Sequence, residues 1–350
     1  MSNNKNVVTF GIDLAKSLFH VCGLDASGKP VVSKKLRRTQ IVTFFANQSP
    51  CIVAMEACAG AHWLGRKLNG LGFQVRILPA QYVKPFVQNQ KNDANDALAI
   101  AEASQRPSVR PVPIKTQSQL HLQALHRVRD RLVNQRTRLI NQMRGFLLEE
   151  GIILRTGVGN FKSQLPVVLS DPSEEISPAM TALINELWDE LLGLEKRLKS
   201  INSQIETWAS QDQAARRLQS VPGIGALSAT AIIAAIGNAA QFNKARDFSA
   251  WLGLVPRQHS TGGKTTLGGI SKSGNPYIRR LLIHGARSCM LHLNREKDRL
   301  GAWITDLERR MPFNKVVVAL ANKLARIAWV ILTRPAATYE QMQPTRQANY

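Results

Sequence analysis

A chain of 350 residues has room for two or three domains, and 44% apolar residues suffice for ordinary hydrophobic cores. A formal net charge of +22 repels itself unless a polyanion offsets it, and nucleic acid is the usual polyanion. Four cysteines, at 22, 51, 58 and 289, form no CxxC pair, which argues against a zinc site or disulfide frame and fits free thiols in a reducing cytosol.

The opening MSNNKNVVTF lacks the basic-plus-apolar layout of a signal peptide, so a soluble, cytoplasmic protein is expected. Basic residues outnumber acids in 1–100 and again in 213–350, whereas 151–212 reverse the balance. Both ends are therefore candidates for gripping phosphate, and the middle reads as a spacer or a contact between protein chains.

Val7 to Asp13 (VVTFGID) is a β-branched, apolar run ending in an acid and predicts a strand. Residues 18–24 (LFHVCGL) predict a second strand, DASGKP a turn, and 30–36 (PVVSKKL) a third strand. A short helix is expected over 39–46, then a buried strand over 51–56 (CIVAME) that again ends in an acid. A helix over 61–71 stops at Gly70 and Gly72, and QVRILP forms a fifth strand. Three meandering strands followed by alternating helix and strand give an α/β layout with a mixed sheet. Asn92 to Ala103 predicts a helix with acids in its first turn, and three prolines within 106–115 mark a linker.

From about 117 the periodicity changes. Leu125, Leu132, Leu139 and Phe146 recur every seven residues. Met180, Ile184, Leu187, Leu191, Leu194, Leu198, Ile201, Ile205 and Trp208 alternate in steps of four and three. Such seams belong to a helical hairpin or to an intermolecular coiled coil. Residues 157–178, rich in Gly, Pro and Ser, are expected to loop at the tip. Beyond 216, SVPGIGALSATAIIAAIG reads as a turn feeding an apolar helix, and DFSAWLGL as a second short helix. Residues 256–276 read as an extended loop, and 277–294 and 316–332 as helices. Lys323 and Arg326 interrupt the last of these, so it is expected in a core and not across a membrane. The expected domains are 1–115, 116–215 and 216–350.

The chemistry concentrates in acids. Residues 1–100 hold only Asp13, Asp25, Glu56, Asp93 and Asp96. Asp13 and Glu56 end predicted strands, where α/β folds place their sites. Asp93 and Asp96 are three apart on a predicted helix and share a face. Clustered carboxylates repel each other, and a divalent cation removes that penalty. Oxygen donors without a His or Cys cluster suit Mg2+ or Mn2+, ions that support phosphoryl transfer.

GIDLAKSLFHV, AMEACAG and KNDANDALAIAEA resemble the RuvC-like domain of the DEDD insertion-sequence transposases. That group includes the Piv-type recombinases and the bridge-RNA-guided recombinases. SVPGIG, and the stretch from DFSAWLGLVPRQHSTGGKTTLGGISKSGNPYIRRLLIHGA, resemble the family's C-terminal transposase domain. The resemblance implies an RNase-H-like (RuvC-like) α/β domain, a helical coiled coil and a mainly α-helical C-terminal domain. It implies that Asp13, Glu56, Asp93 and Asp96 are the metal-binding catalytic acids. It also implies a serine nucleophile in the C-terminal domain that forms a phosphoserine–DNA link. Counting back from the Ser271–Lys272 pair places this residue at Ser260; counting forward from GLVPR lands on Thr261. With acids and serine in separate domains, the resemblance implies a site composed from different protomers of a dimer or tetramer, acting on donor and target DNA with a structured guide RNA.

Two further groups are candidates for nucleic-acid contact. PGIGALSATA resembles a helix-hairpin-helix turn, in which Gly223 and Gly225 offer backbone N–H groups to phosphate. Arg127, Arg129, Arg131, Arg136, Arg138 and Arg144 make one helix basic, and Lys264, Lys272, Arg279, Arg280 and Arg287 surround or follow the serine segment. Two competing functions remain open at this stage. A RuvC-like junction nuclease would need the acids but no serine, and a non-catalytic scaffold would need neither.

Overall fold

The computed structural model describes residues 6–87, 92–171 and 176–339. The chain forms two compact units, one of Met1–Gln119 with Ala239–Asn243 and one of Leu120–Asn238 with Lys244–Tyr350.

The first unit is built on five strands: β1 (Thr9–Leu14), β2 (Leu18–Leu24), β3 (Pro30–Arg37), β4 (Ile52–Glu56) and β5 (Gln74–Leu78). Their order is β3-β2-β1-β4-β5. β1, β2 and β3 pair antiparallel, as short turns demand, while β4 and β5 join β1 in parallel. The α1 helix (Ile41–Ala46) and α2 (Ala61–Gly70) cover one face, where Phe10, Ile12, Val53 and Met55 meet Phe45, Leu64 and Leu68. A short α3 (Ala80–Val83) follows β5, and α4 (Asp93–Ser104) covers the opposite face over Ala54, Leu78, Cys22 and Leu24. This is the mixed α/β sheet expected from the strand pattern. The proline-rich stretch after α4 is strapped to this unit: Val112 bridges Ile77, and His62 and Arg66 hold the backbone of Lys115.

The second unit is helical apart from one hairpin. α5 (Gln117–Glu149), α6 (Val158–Ser170) and α7 (Pro178–Gln211) share a cluster of Leu132, Leu139, Met143, Phe161, Leu165, Ile184, Leu191 and Leu198. The two seams therefore pack within one chain. The segment expected to loop at the tip instead contains α6. Phe161 and Leu165, one turn apart and fully buried, anchor it despite Pro166.

α8 (Gln213–Gln219), α9 (Ala226–Ile236), α10 (Ala245–Trp251), α11 (Pro276–His292), α12 (Arg299–Glu308) and α13 (Phe313–Thr333) complete the unit. Between α10 and α11 the expected loop is an antiparallel hairpin of β6 (Pro256–Thr261) and β7 (Lys264–Ile270). By length and composition alone, α13 is long and apolar enough to cross a membrane. Its buried positions, Val316, Leu320, Leu324, Ala328 and Ile331, recur at helical spacing and face α10, α11 and α12. All four cysteines are free.

Candidate active site

The acid site follows from one glycine. Gly11 lies on β1 two residues before Asp13, on the sheet face that α4 covers. A methyl carbon built on Gly11 would lie 2.6 Å from the backbone nitrogen of Ala101 and closer still to the carbonyl oxygen of Ala97. Only glycine permits α4 to cross β1 this closely. Ala97 and Ala101 are one turn apart, so the next turn toward the helix start carries Asp93 on the same stripe. Asn92 caps the helix by accepting from Asn95 N–H at 2.9 Å. Acids in the first turn are favoured by the helix dipole.

The close crossing brings Asp13, Asp93 and Asp96 together, with one ligand oxygen from each within 4.8 Å of the others. Burial, then the charges of Asp96 and Asp93, push the Asp13 carboxyl above its usual range, while His20 opposes the shift. Glu56 stands outside that triplet. It follows Met55, the parallel partner of Ile12, so Glu56, the last residue of β4, and Asp13, the last but one of β1, stand on the same face of neighbouring strands. The next turn places Cys58 nearby, whose thiol is raised by burial and by Glu56 and Asp13.

His20 was not anticipated as a site residue. It is the antiparallel partner of Asp13 on β2, and its Nε2 lies 3.2 Å from Asp93 Oδ2. The sequence did carry a signal. A tight turn between β1 and β2 fixes the register, which sets His20 opposite Asp13.

Ser260 and Thr261 lie on the β6–β7 hairpin, exposed along both strands. Gly262 and Gly263 both have positive φ, as a two-residue hairpin turn requires. Ser260 pairs with Thr265 and Thr261 with Lys264, so the two hydroxyls project from opposite faces. The Ser260 and Thr265 hydroxyls share a hydrogen bond at 3.2 Å, and Gln258 Nε2 donates to Ser260 Oγ at 3.1 Å. The hairpin's root is tightly built. A side chain on Gly274 would overlap the carbonyl oxygen of Trp251, Lys272 sits at φ 56, and its N–H donates to Gly253 O at 3.1 Å.

Family models match over residues 10–151, described as a transposase, and over 215–300, described as the transposase IS116/IS110/IS902 family. The chain belongs to this transposase family. It is 46% identical to a Pseudomonas aeruginosa protein named a probable family 20 transposase, over 94% of this chain and 98% of that one. It is 43% identical to the transposase for insertion sequence element IS1328 of Yersinia enterocolitica, over 94% and 98% of the two chains. The transposase for element IS1111A of Coxiella burnetii is 42% identical over 94% and 91%.

The transposase sorts its basic residues by use. On α5, Arg129 donates to Asn202, Arg136 to Glu195, and Arg144 to the backbone of Arg155 and Gly157. Arg127, Arg131 and Arg138 are exposed, and at about 100° per residue they fall on one stripe of the helix. Arg279 is committed to the carbonyls of Leu252 and Ser273 at 2.8 and 2.7 Å, at the hairpin root. Arg280 pairs with Asp130 and lies over the Tyr277 ring. Lys264 and Lys272 are exposed. Gly223 packs on α11, where a side chain would come within 2.6 Å of Gly285 O, while Gly225 has open space beside it.

Proposed function

We propose that this transposase is a site-specific DNA recombinase that cuts and rejoins DNA at a RuvC-like carboxylate site, with a serine nucleophile and a structured guide RNA. The observation that carries the reading is the convergence of Asp13, Asp93 and Asp96 beside the strand end that bears Glu56. The sheet order β3-β2-β1-β4-β5 supports the RNase-H-like reading of residues 1–115. Residues 116–215 are read as an oligomerising helical segment and 216–350 as the serine-bearing domain.

The donor set is hard oxygen; burial first, and then repulsion from Asp96 and Asp93, raise the Asp13 carboxyl, and a bound dication offsets that repulsion. It fits Mg2+ or Mn2+, which when held supplies charge stabilisation at the phosphate. Asp13, Asp93 and Asp96, with Glu56 on the neighbouring strand, would hold that cation, and their own negative charge keeps an unneutralised phosphate away. Ser260 Oγ attacks phosphorus, the Oγ–P bond replaces the P–O bond to the departing strand, and the serine proton ends on the freed oxygen. Rejoining reverses the step with a different strand, so no external energy source is needed. An isolated serine hydroxyl is a poor nucleophile, and the described partners of Ser260 are the neutral Gln258 and Thr265. The reading therefore assembles the centre from more than one protomer of a dimer or tetramer. A net charge of +22 and the arginine stripe of α5 support an RNA partner besides donor and target DNA.

The test incubates the protein with DNA, with and without RNA from the flanking locus, and resolves products on a denaturing gel. A covalent protein–DNA species is expected, mapping to Ser260. Ser260→Ala is expected to remove it, and Asp13→Asn to remove both adduct and cleavage while nucleic-acid binding persists. Full cleavage by Asp13→Asn overturns the carboxylate reading. Nucleotide mass on Thr261 moves the nucleophile by one residue. Cleavage with no covalent species favours a junction nuclease in which water takes the serine's place.

A further inference from the structure

We infer that His20 is a positioning residue for the carboxylate site, holding one oxygen of Asp93 so that the other is presented with Asp13 and Asp96. The inference rests on the reading of that site as a divalent-cation site. Asp93 is the most exposed of the three aspartates, with 62% of its side chain open to solvent. A carboxylate so exposed, on the first residue of a helix, rotates freely unless something fixes it. His20 is what touches it. The histidine is only 7% exposed, and its Nε2 meets Asp93 Oδ2 at 3.2 Å.

The ring cannot easily move. β2 alternates its side chains, and His20 shares the α4 face with Cys22 and Leu24, both packed on Ala97. His20 is also the direct cross-strand partner of Asp13. One rigid β-hairpin thus supplies a carboxylate from β1 and the group that orients a second carboxylate from β2. The ring lies outside the set of three oxygens that converge within 4.8 Å, so it orients a ligand and is not one itself. With Oδ2 engaged by the imidazole, Oδ1 is left for the cation. Groups that orient ligands in this way are worth about 10- to 100-fold in metal affinity.

The alternative is a buried histidine that merely satisfies its own polarity on Asp93. Mn2+ affinity separates the two, measured by electron paramagnetic resonance on the full chain at one pH, beside melting temperatures in EDTA. His20→Leu is expected to weaken Mn2+ binding about tenfold or more. His20→Gln, whose amide nitrogen reaches the Nε2 position, is expected near wild type. His20→Asn, whose nitrogen reaches only the Nδ1 position, is expected to resemble leucine. Wild-type affinity in His20→Leu overturns the proposal. Should leucine fail to fold, equal affinities for the Gln and Asn variants overturn it instead. Asp13→Asn is the control for the underlying site: if it binds Mn2+ as wild type does, or if wild type binds none, the cation reading itself falls.

Discussion

His126 shows how much a single buried side chain can bind together in the helical unit. It is 4% exposed on α5, its Nε2 lies 2.9 Å from Thr230 Oγ1 on α9, and its Nδ1 lies 3.0 Å from the Tyr277 hydroxyl on α11. The Thr230 hydroxyl donates to Ala226 O at 2.7 Å, which leaves its lone pairs for Nε2–H. Nδ1 then accepts from Tyr277, so the ring is neutral and both nitrogens are used. Burial first, and Arg129 second, lower its pKa to about 4 from an ordinary 6.5. The sign follows. The unfolded chain takes up a proton below pH 6.5 while the folded chain does not until about pH 4, so stability is full above 6.5 and falls across that window. Urea titrations are expected to give a helical unit about 2 kcal/mol less stable at pH 5 than at pH 7. His126→Phe should flatten that slope, and a slope unchanged in the variant removes His126 as its source. The sequence concealed this residue. The heptad pattern pointed to its neighbour Leu125, which is only half buried, because the cluster shared with α6 and α7 begins at Leu132, while the start of α5 turns His126 to Thr230 on α9 and Tyr277 on α11.

Among the elements, the contact of α4 with β1 decides whether the acids meet. Gly11→Ala puts a methyl group against the backbone at Ala97 and Ala101, where no side chain can swing aside. The helix must lift, at a cost of about 1–3 kcal/mol, and Asp93 and Asp96 lift with it. The expected outcome is a lower melting temperature and a loss of metal-dependent cleavage larger than that fall explains. Gly70→Ala is the control, because it has open space around it and is expected to melt at or above wild type. Equal activity of the two variants argues against a tight crossing. The acids' placement was legible because strands ending in acids, and a helix opening with them, announce themselves in composition and period. What positions them was not: Gly11 reads as one more residue of the strand VVTFGID until the helix over it is seen. The β6–β7 hairpin escaped for a related reason. Both its faces are exposed, so PRQHST and KTTLGGI lack the apolar alternation by which strands are read. α12 did carry a helical signal in Leu300, Ile304 and Leu307, but short spacing in a basic context left it unassigned.

At the scale of the molecule, a net charge of +22 favours a polyanionic partner without saying which residues would grip it. Folding answers part of that. Of the six arginines of α5, Arg129, Arg136 and Arg144 are spent on Asn202, Glu195 and the backbone near the tip, and only Arg127, Arg131 and Arg138 keep their guanidinium groups on an exposed stripe. The composition treats these six alike, whereas packing divides them: Arg129 and Arg136, three and four residues from Leu132, face α7, Arg144 reaches the segment before α6, and Arg127, Arg131 and Arg138 face solvent. Each lysine or arginine that neutralises a phosphate releases counterions, so its loss flattens the salt dependence of binding by about 0.7–0.9 in logarithmic slope. Replacing Arg127, Arg131 and Arg138 together by Gln is therefore expected to reduce the slope for nucleic-acid binding by about 2–3, with unchanged melting. Arg136→Gln is expected to do the reverse. It leaves Glu195 without its arginine, lowers the melting temperature and keeps the slope. The readout is filter binding across a salt series for each variant, with circular dichroism for the fold. A triple variant that binds with the wild-type slope removes the stripe from the interface and shifts the search to Lys264, Lys272 and the open backbone at Gly225, where the same salt series on Lys264→Gln with Lys272→Gln decides.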